Sequence, residues 1–448
     1  MGLSKSRKSD DNPRLEKNLG LFEMTMYGVG IILGAGIYAL LGEGAGLAGN
    51  ALWVSFAIAA IVSAFTGLSY CELNSMMPKE AAEYNYTKRA FNRKVAFLVG
   101  WLLILTMVVA AAAVSVGFAG YFQNIFGWAS IIPVAAGIII IFSVMNFWGI
   151  KESSNFNIIA TLIEAGGLVF VIIVGLMFFN PATDFTISPN GMQGVMAGAA
   201  LMFFAFIGFT DITNMSEEAK DARNSVPKAL LLSLAISTIL YMLVSVAAIG
   251  LVGWEALSKS NAPLSMIVDR SLGAEAGTLL SVIALFSTGN TILICLIVGS
   301  RIMYGMAKDN SLPGFMSRVH GRTRTPYIAI LVTMVASVAF LFTGDIGFIA
   351  NVTTASVFVS FVFVNLSLIV LRYKEPKEER PFRTPLNIGK FPVIAGLGLA
   401  TSLLMLAFTE VQILIFVALL LFAGLIIYNI YRKMEVDVDI DVDVKLKD

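Results

Sequence analysis

The stretch GVGIILGAGIYALLGEGAG, residues 28–46, lies in the first long apolar run of the chain and carries seven glycines. Glycine inside a helix costs about 1 kcal/mol relative to alanine. A segment that crosses a bilayer must satisfy its own backbone polar groups, so an interruption is tolerated only where it faces protein or a watery cavity. Two readings are open. Gly30 and Gly34 form a G-x-x-x-G spacing that lets two helices pack closely. Alternatively, Gly34-Ala35-Gly36 breaks the helix at mid-membrane depth and presents amide N–H groups that suit an anion such as a carboxylate.

The rest of the chain supplies the setting. Only 14% of its 448 residues are charged and 57% are hydrophobic, whereas a soluble domain is roughly 25% charged. Mean hydropathy is +0.81. Apolar runs of a length to cross a hydrocarbon core, about 20 residues, recur along the sequence. They fall near 21–41, 51–71, 96–120, 130–148, 156–179 and 193–216, then 228–252, 276–306, 326–343, 346–370, 391–409 and 411–431. These predict an all-α polytopic membrane protein of 12 transmembrane helices, with tails at 1–20 and 432–448.

Charge sets the orientation. Of 31 Lys and Arg, all but Lys259 and Arg270 fall on one side of this arrangement, and basic loops stay cytoplasmic. Both termini are therefore expected on the cytoplasmic side of the cell membrane. The net charge of +1 hides this asymmetry and gives no case for a nucleic-acid partner. The polar start, MGLSKSRKSDDNPRLEKN, holds no cleavable signal peptide, and its loose match to a myristoylation pattern adds nothing to a chain with so many spans. The tail MEVDVDIDVDVKLKD alternates acidic and β-branched residues, a strand pattern only if it finds a partner and otherwise a disordered tail.

Several chemistries are excluded. His320 is the only histidine and falls in a basic loop, as a solvated residue, so no histidine-based metal site or triad is expected. Cys71 and Cys295 lie in or beside spans, where cysteine behaves as a small apolar residue and no disulfide is expected. No H-E-x-x-H, G-x-S-x-G or G-x-x-x-x-G-K-[ST] occurs, which argues against a membrane enzyme or a nucleotide-driven pump. No cofactor is implied. The absence of a repeated short pore-loop segment argues against an ion channel. Two loops, 72–95 and the stretch AKDNSLPGFMSRVHGRTRTP, carry amphipathic and turn signals of segments lying along the inner membrane face.

A second interruption answers the first. Five spans on, Ile207-Gly208-Phe209-Thr210-Asp211 sets glycine, a β-branched hydroxyl residue and a carboxylate at mid-membrane depth. Transporters built from inverted repeats place broken helices at corresponding positions in their two halves. Spans 1–5 (about 21–179) and 6–10 (about 193–370) then form two repeats of opposite topology, with helices 11–12 (about 391–431) outside them.

Intramembrane polar groups mark the centre. Glu164 lies about 14 Å into the fifth span by the 1.5 Å rise of a helix. A carboxyl group there must be protonated or paired, so it either exchanges a coupling proton or is a structural acid bonded to a neighbouring break. Ser287, Thr288 and Asn290 place oxygens in the eighth span, as a sodium site would need, although hydroxyls more often bond back to the preceding turn. Asp211 either meets a substrate amine, bonds the freed amides of its own break or faces an aqueous vestibule. Arg301 snorkels or pairs with an acid near the inner end, and Glu217 and Glu218 read as a solvated edge or gate contact.

Four ordered stretches resemble a known family. GVGIILGAGIY is similar to the first-helix G-[SA]-G motif of the amino acid–polyamine–organocation superfamily. YCELNSMMPKEAAEYNYTKRAFNRKVAFLVGW, FFAFIGFTDITNMSEEAKDARNSVPKAL and GSRIMYGMAKDNSLPGFMSRVHGRTRTP resemble its second-to-third-helix loop, its sixth helix and the end of its eighth. The resemblance implies the inverted five-helix repeat and alternating-access transport of amino acids, by symport or by exchange. It implies that backbone around Gly34, Ala35 and Gly36 binds the substrate carboxylate and that around Phe206, Ile207 and Phe209 its amino group. Phe204 would gate the extracellular side. Glu164 aligns where some proton-coupled relatives have a lysine in place of a sodium ion, so with Ser287 and Thr288 it belongs to the coupling-ion candidates, for a proton or sodium. Many relatives of the cationic type carry an acid directly after the IGF segment, where this chain has Thr210 and only then Asp211, a shift that counts against cationic substrates.

Overall fold

The computed structural model describes residues 17–126, 130–260, 263–341, 346–407, 409 and 411–445. The first apolar run forms two helices, α1 (Leu21–Leu33) and α2 (Ala35–Ala48), divided at Gly34. After them come α3 (Leu52–Met76), a short α4 (Ala82–Ala90) and α5 (Arg93–Phe126). The first half closes with α6 (Ile131–Trp148) and α7 (Ile150–Met177).

The second half opens with α8 (Gly191–Phe203), which gives way to 3₁₀ turns over Phe204–Phe206 and Phe209–Glu218. Then follow α9 (Ala222–Val252), α10 (Trp254–Ser258), α11 (Pro263–Leu272) and α12 (Ala274–Lys308). The chain continues with α13 (Tyr327–Phe340), α14 (Ile346–Lys374), α15 (Val393–Ala407) and α16 (Val411–Lys445). A two-residue antiparallel hairpin, β1 (Asn387–Ile388) and β2 (Phe391–Pro392), joins α14 to α15.

Ten stretches among the described residues are long and apolar enough to cross a membrane. The chain is an all-α polytopic membrane protein. Two shorter apolar helices, α13 and α15, stand where the sequence predicts the ninth and eleventh spans. At the centre α12 runs along α5, α3 runs along α9, and α1 packs on both α7 and α9. Outer helices such as α16 turn Ile415, Leu419 and Phe422 outward, a surface that water would penalise and lipid accepts.

Three local expectations change. Within the 72–95 loop α4 is not an interfacial helix but is seated against α5 and α14 with Glu83, Tyr84 and Tyr86 buried, while Lys79, Asn92 and Lys94 stay exposed. Its polar atoms find partners inside the protein, which removes the cost of burying them. The Tyr70 hydroxyl donates to Glu83 at 3.1 Å, the Asn214 amide donates to Glu83 at 3.2 Å, and the Tyr84 hydroxyl donates to Asp309. His320 is half-buried between Phe147 and Tyr327, with ring centroids 5.2 and 6.1 Å away, rather than solvated. Finally, α16 continues through Lys445, where alternation suggested a strand or an unstructured tail. Extending an existing helix costs far less than nucleating new structure.

Candidate functional site

Both glycine-bearing runs are interrupted, and the interruptions meet. At Gly34 ψ is −151°, which takes the chain out of the helical well, and α2 starts at Ala35 without a side-chain cap. The first amides of a helix have no intrahelical partner. In the second run Ile207 is extended with ψ of 134°, and Gly208 has φ of +113°, a region that side chains disfavour. The runs pass each other antiparallel. A Cβ on Gly36 would lie 2.8 Å from the Ala205 Cα, and one on Gly208 would lie 2.7 Å from Ile31 Cγ1. Gly30 faces Thr161 and Asn290, and Gly34 faces Thr291. The glycines therefore serve close packing and the break at once.

Tyr241 of α9 holds the two breaks together. Its hydroxyl reaches the Ile32 carbonyl and, at 3.1 Å, the Ala205 carbonyl. Its ring rests on Phe206 and on Phe56, each with centroids 5.3 Å away. One proton is shared between two carbonyls that the broken helices leave open. Tyr241→Phe should cost about 1–3 kcal/mol, the penalty of stranding buried acceptors. A thermal unfolding curve in detergent reads that loss, and an unchanged midpoint would mean that the carbonyls find other donors.

Between the breaks and α5, α12 and α14 lies a cavity of about 70 Å³. Its walls are mainly apolar, with Ile31, Met107, Val114, Phe204 and Ile207 prominent. Polar atoms come from Thr106, Asp211, Thr291, Cys295 and Thr353. Of the sequence-predicted residues, Gly36, Phe204 and Ile207 line this space. Phe206 and Phe209 turn their rings away, onto Tyr241 and onto Phe361 at 5.8 Å. Their candidate contribution is backbone, so the ring positions leave it available. The Ala35 side chain lies outside the described residues. Thr106, Thr291 and Thr353 escaped sequence reasoning because a Ser or Thr hydroxyl in a membrane helix most often bonds back to its own helix, and Tyr241 because its partners belong to other helices.

Glu164 lies on the face of α7 that packs against α1 and α12. It is fully buried, and neither carboxyl oxygen has a hydrogen-bond partner in the described structure. The Tyr38 hydroxyl, from the first turn of α2, donates to the Glu164 carbonyl at 3.4 Å. One turn earlier, a polar chain crosses the same interface. The Asn157 amide donates to Asn290 at 2.9 Å, the Asn290 amide donates to Thr161 at 3.4 Å, and the Thr161 hydroxyl donates to the Met26 carbonyl at 3.2 Å. Thr288 bonds back to Ala284 at 2.8 Å, whereas the buried Ser287 hydroxyl has no partner.

Below the cavity, toward the end that carries the basic loops, the groups are charged. Arg301 and Glu218 are fully buried and paired at 3.0 Å, and Arg301 also donates to Asn146 at 3.0 Å and Ser300 at 3.1 Å. Arg301 thus pairs rather than snorkels, and Glu218 is no solvated edge; Glu217 meets Lys308 at 2.8 Å. Beside them both oxygens of buried Glu80 are unpartnered. Burial, reinforced by Glu218 and Glu217, pushes the Glu80 carboxyl well above its usual range against the pull of Arg301 and Lys308. Burial also raises Glu83, despite its hydrogen bonds from Asn214 and Tyr70.

Comparison with known proteins places this geometry. A family model for amino acid permeases matches residues 19–429. The branched-chain amino acid permease of Bacillus subtilis (strain 168) is 33% identical over 443 residues, 94% of each chain. The methylthioribose transporter of the same organism is 29% identical over 440 residues, again 94% of each chain. The vacuolar cationic amino acid transporter 4 of Arabidopsis thaliana is 31% identical over 396 residues, 82% of this chain and 65% of that protein.

Proposed function

Because the chain belongs to the amino acid permease family of the amino acid–polyamine–organocation superfamily, we propose that it moves amino acids across the cell membrane by alternating access, as a proton-coupled symporter. A family model for amino acid permeases and relatives named for amino acid transport support that reading. The observation that carries the mechanism is the pair of facing helix breaks around one cavity, with an unpartnered carboxylic acid beside them.

In this reading the uncapped start of α2 takes the substrate carboxylate through the amides at Gly34, Ala35 and Gly36. Backbone of Phe206, Ile207 and Phe209 takes the amino group, since 3₁₀ and extended geometry leaves carbonyls open there. Phe204, on the cavity wall, closes the site from outside. The topology is twelve spans in two inverted five-helix repeats plus two helices, both termini cytoplasmic. Packing supports that symmetry: α5 meets α14 as α12 meets α7, and α3 meets α8 as α9 meets α1.

Glu164 is the proton carrier. A buried carboxyl group with the Asn290 side chain beside it and no charged partner among the described residues is held neutral by the cost of an unpaired charge in hydrocarbon. When the first break shifts and water reaches Glu164, it releases that proton, which couples proton movement to the state of α1 and α2. Sodium is the alternative, and the unpartnered Ser287 hydroxyl favours it.

Uptake of labelled amino acids into sodium-free proteoliposomes tests this. An inward proton gradient should drive accumulation by the wild type, and Glu164→Gln should abolish that drive while leaving exchange of preloaded substrate. Uptake that ignores the gradient and requires internal amino acid would make the protein an exchanger and Glu164 a structural acid. Accumulation driven only by added sodium would assign coupling to the Ser287 side.

A further inference from the structure

Glu80 has no part in the mechanism above. It sits in the turn between α3 and α4, is 1% exposed, and neither carboxyl oxygen has a hydrogen-bond partner. Its carbonyl accepts from the Asn85 amide at 2.7 Å. A carboxylate so placed is costly without a cation. Two cations of α12 act on it, Arg301 and Lys308, and both are taken, by Glu218 and Glu217. Those two acids also oppose its ionisation, and Tyr304 of α12 feels its charge. The other charges on the elements packed around this turn are engaged elsewhere. Glu83 of α4 is bonded by Tyr70 and Asn214, Arg372 of α14 by Glu72, and Lys374 of α14 by the Ala90 carbonyl.

These groups belong to two bodies. Glu217 and Glu218 close the second interrupted helix, while the Glu80 turn is built onto α12. A Cβ on Gly305 would lie 3.1 Å from the Glu80 carbonyl oxygen and 2.8 Å from the Ala81 Cβ. The residues that follow are tied to the end of α12. Lys88 and the Tyr84 hydroxyl reach Asp309, and the Arg93 guanidinium donates to the Ser311 hydroxyl and the Asp309 carbonyl, each at 3.0 Å. The break meets α4 through Asn214, which accepts from the Ala82 N–H at 2.9 Å and donates to Glu83 at 3.2 Å. Withdrawal of the break from α12 therefore takes away the partners of Arg301 and Lys308 and leaves Glu80 beside them.

We propose that Glu80 is the replacement partner of these cations: protonated while the end with the basic loops is closed, it gives its proton to the water that enters on opening and pairs as a carboxylate with Arg301 or Lys308. This rests on the alternating-access reading. The carboxyl O–H bond breaks, water takes the proton, and nothing is oxidised or reduced. The exchange offsets part of the cost of parting a buried ion pair. Its sign follows from linkage. The open form binds one proton fewer, so opening is favoured as pH rises on that side, and the dependence vanishes where Glu80 keeps its proton in both forms.

Cys295, on the cavity wall, reports the opening. Its labelling by a charged methanethiosulfonate, added to the basic-loop side of oriented membrane vesicles, is timed from pH 6 to 8 in a Cys71→Ser background. Dividing the rate with Glu80 present by the rate for Glu80→Gln at each pH cancels the titration of the thiol itself. The ratio should rise at least about fivefold over this range, within the limit of about tenfold per pH unit for one proton. Glu80→Ala, whose side chain needs no donor, should give the same rise and keeps the test open if the glutamine variant fails to insert. A variant that only loosens the packing shifts the ratio equally at every pH, and such a flat ratio overturns the assignment. No labelling of Cys295 from that side at any pH, in any of the proteins, would instead overturn the alternating-access reading.

Discussion

Replacing Arg301 with methionine should destabilise the protein by about 3–5 kcal/mol, because it leaves the Glu218 carboxylate buried without its partner. Glu218→Leu should cost a similar amount by stranding the guanidinium. Geometry makes the expectation firm: both side chains are fully buried, two guanidinium nitrogens face the two carboxylate oxygens at 3.0 and 3.4 Å, and Asn146 takes a third N–H. The pair itself need not be net stabilising, since a buried ion pair gives back much of its attraction as desolvation. The double variant Arg301→Met with Glu218→Leu should therefore recover much of the loss. Thermal unfolding of the four proteins in one detergent measures this. Additive losses in the double variant would show that the two groups do not depend on each other.

The second large effect is on transport rather than stability. Gly36→Val should lower uptake at least about a hundredfold, an activation penalty of about 2.7 kcal/mol. Even the first added carbon would stand 2.8 Å from the Ala205 Cα and 3.1 Å from its Cβ, so the two breaks must be forced apart. Overpacking of this kind costs about 1–3 kcal/mol, enough to distort the site while the chain remains inserted. Gly166→Ala is the control, because nothing lies within 4 Å of a Cβ placed there, and its uptake should stay near wild type. Equal uptake per inserted molecule for both variants would show that the breaks do not need their close approach.

Those two sites show what the sequence makes legible and what it conceals. Glycine at 34, 36 and 208 marks the two runs, although from the sequence alone it reads equally as close helix packing, and the structure shows both. Glu164 likewise stands out on depth alone. Pairings are different in kind. Arg301 and Glu218 are 83 residues apart in the chain, and nothing local says that a basic residue near a span end will turn inward rather than toward water. Tyr241 gives a fainter signal still, one hydroxyl in a long apolar helix. Its role exists only because α9 passes both breaks, which is a fact of packing. The α4 segment, read as lying along the inner membrane face, is instead held by Tyr70, Asn214 and Asp309, partners that only the packing brings to it.

Tyr241 is not the only tie between the two interrupted helices. Just before α1, the Leu19 N–H donates to the Glu218 carbonyl at 3.1 Å, and the Lys220 N–H returns to the Leu19 carbonyl at 2.9 Å, a single parallel bridge. The entry to α1 and the exit from the second break are thus laced at one end and pinned at the middle. Two rods fastened at two points behave as one lever. If the protein opens toward that end, α1 moves by itself only by breaking that lacing. Displacing either rod then displaces the other, so a substrate gripping only one break already has its hand on both.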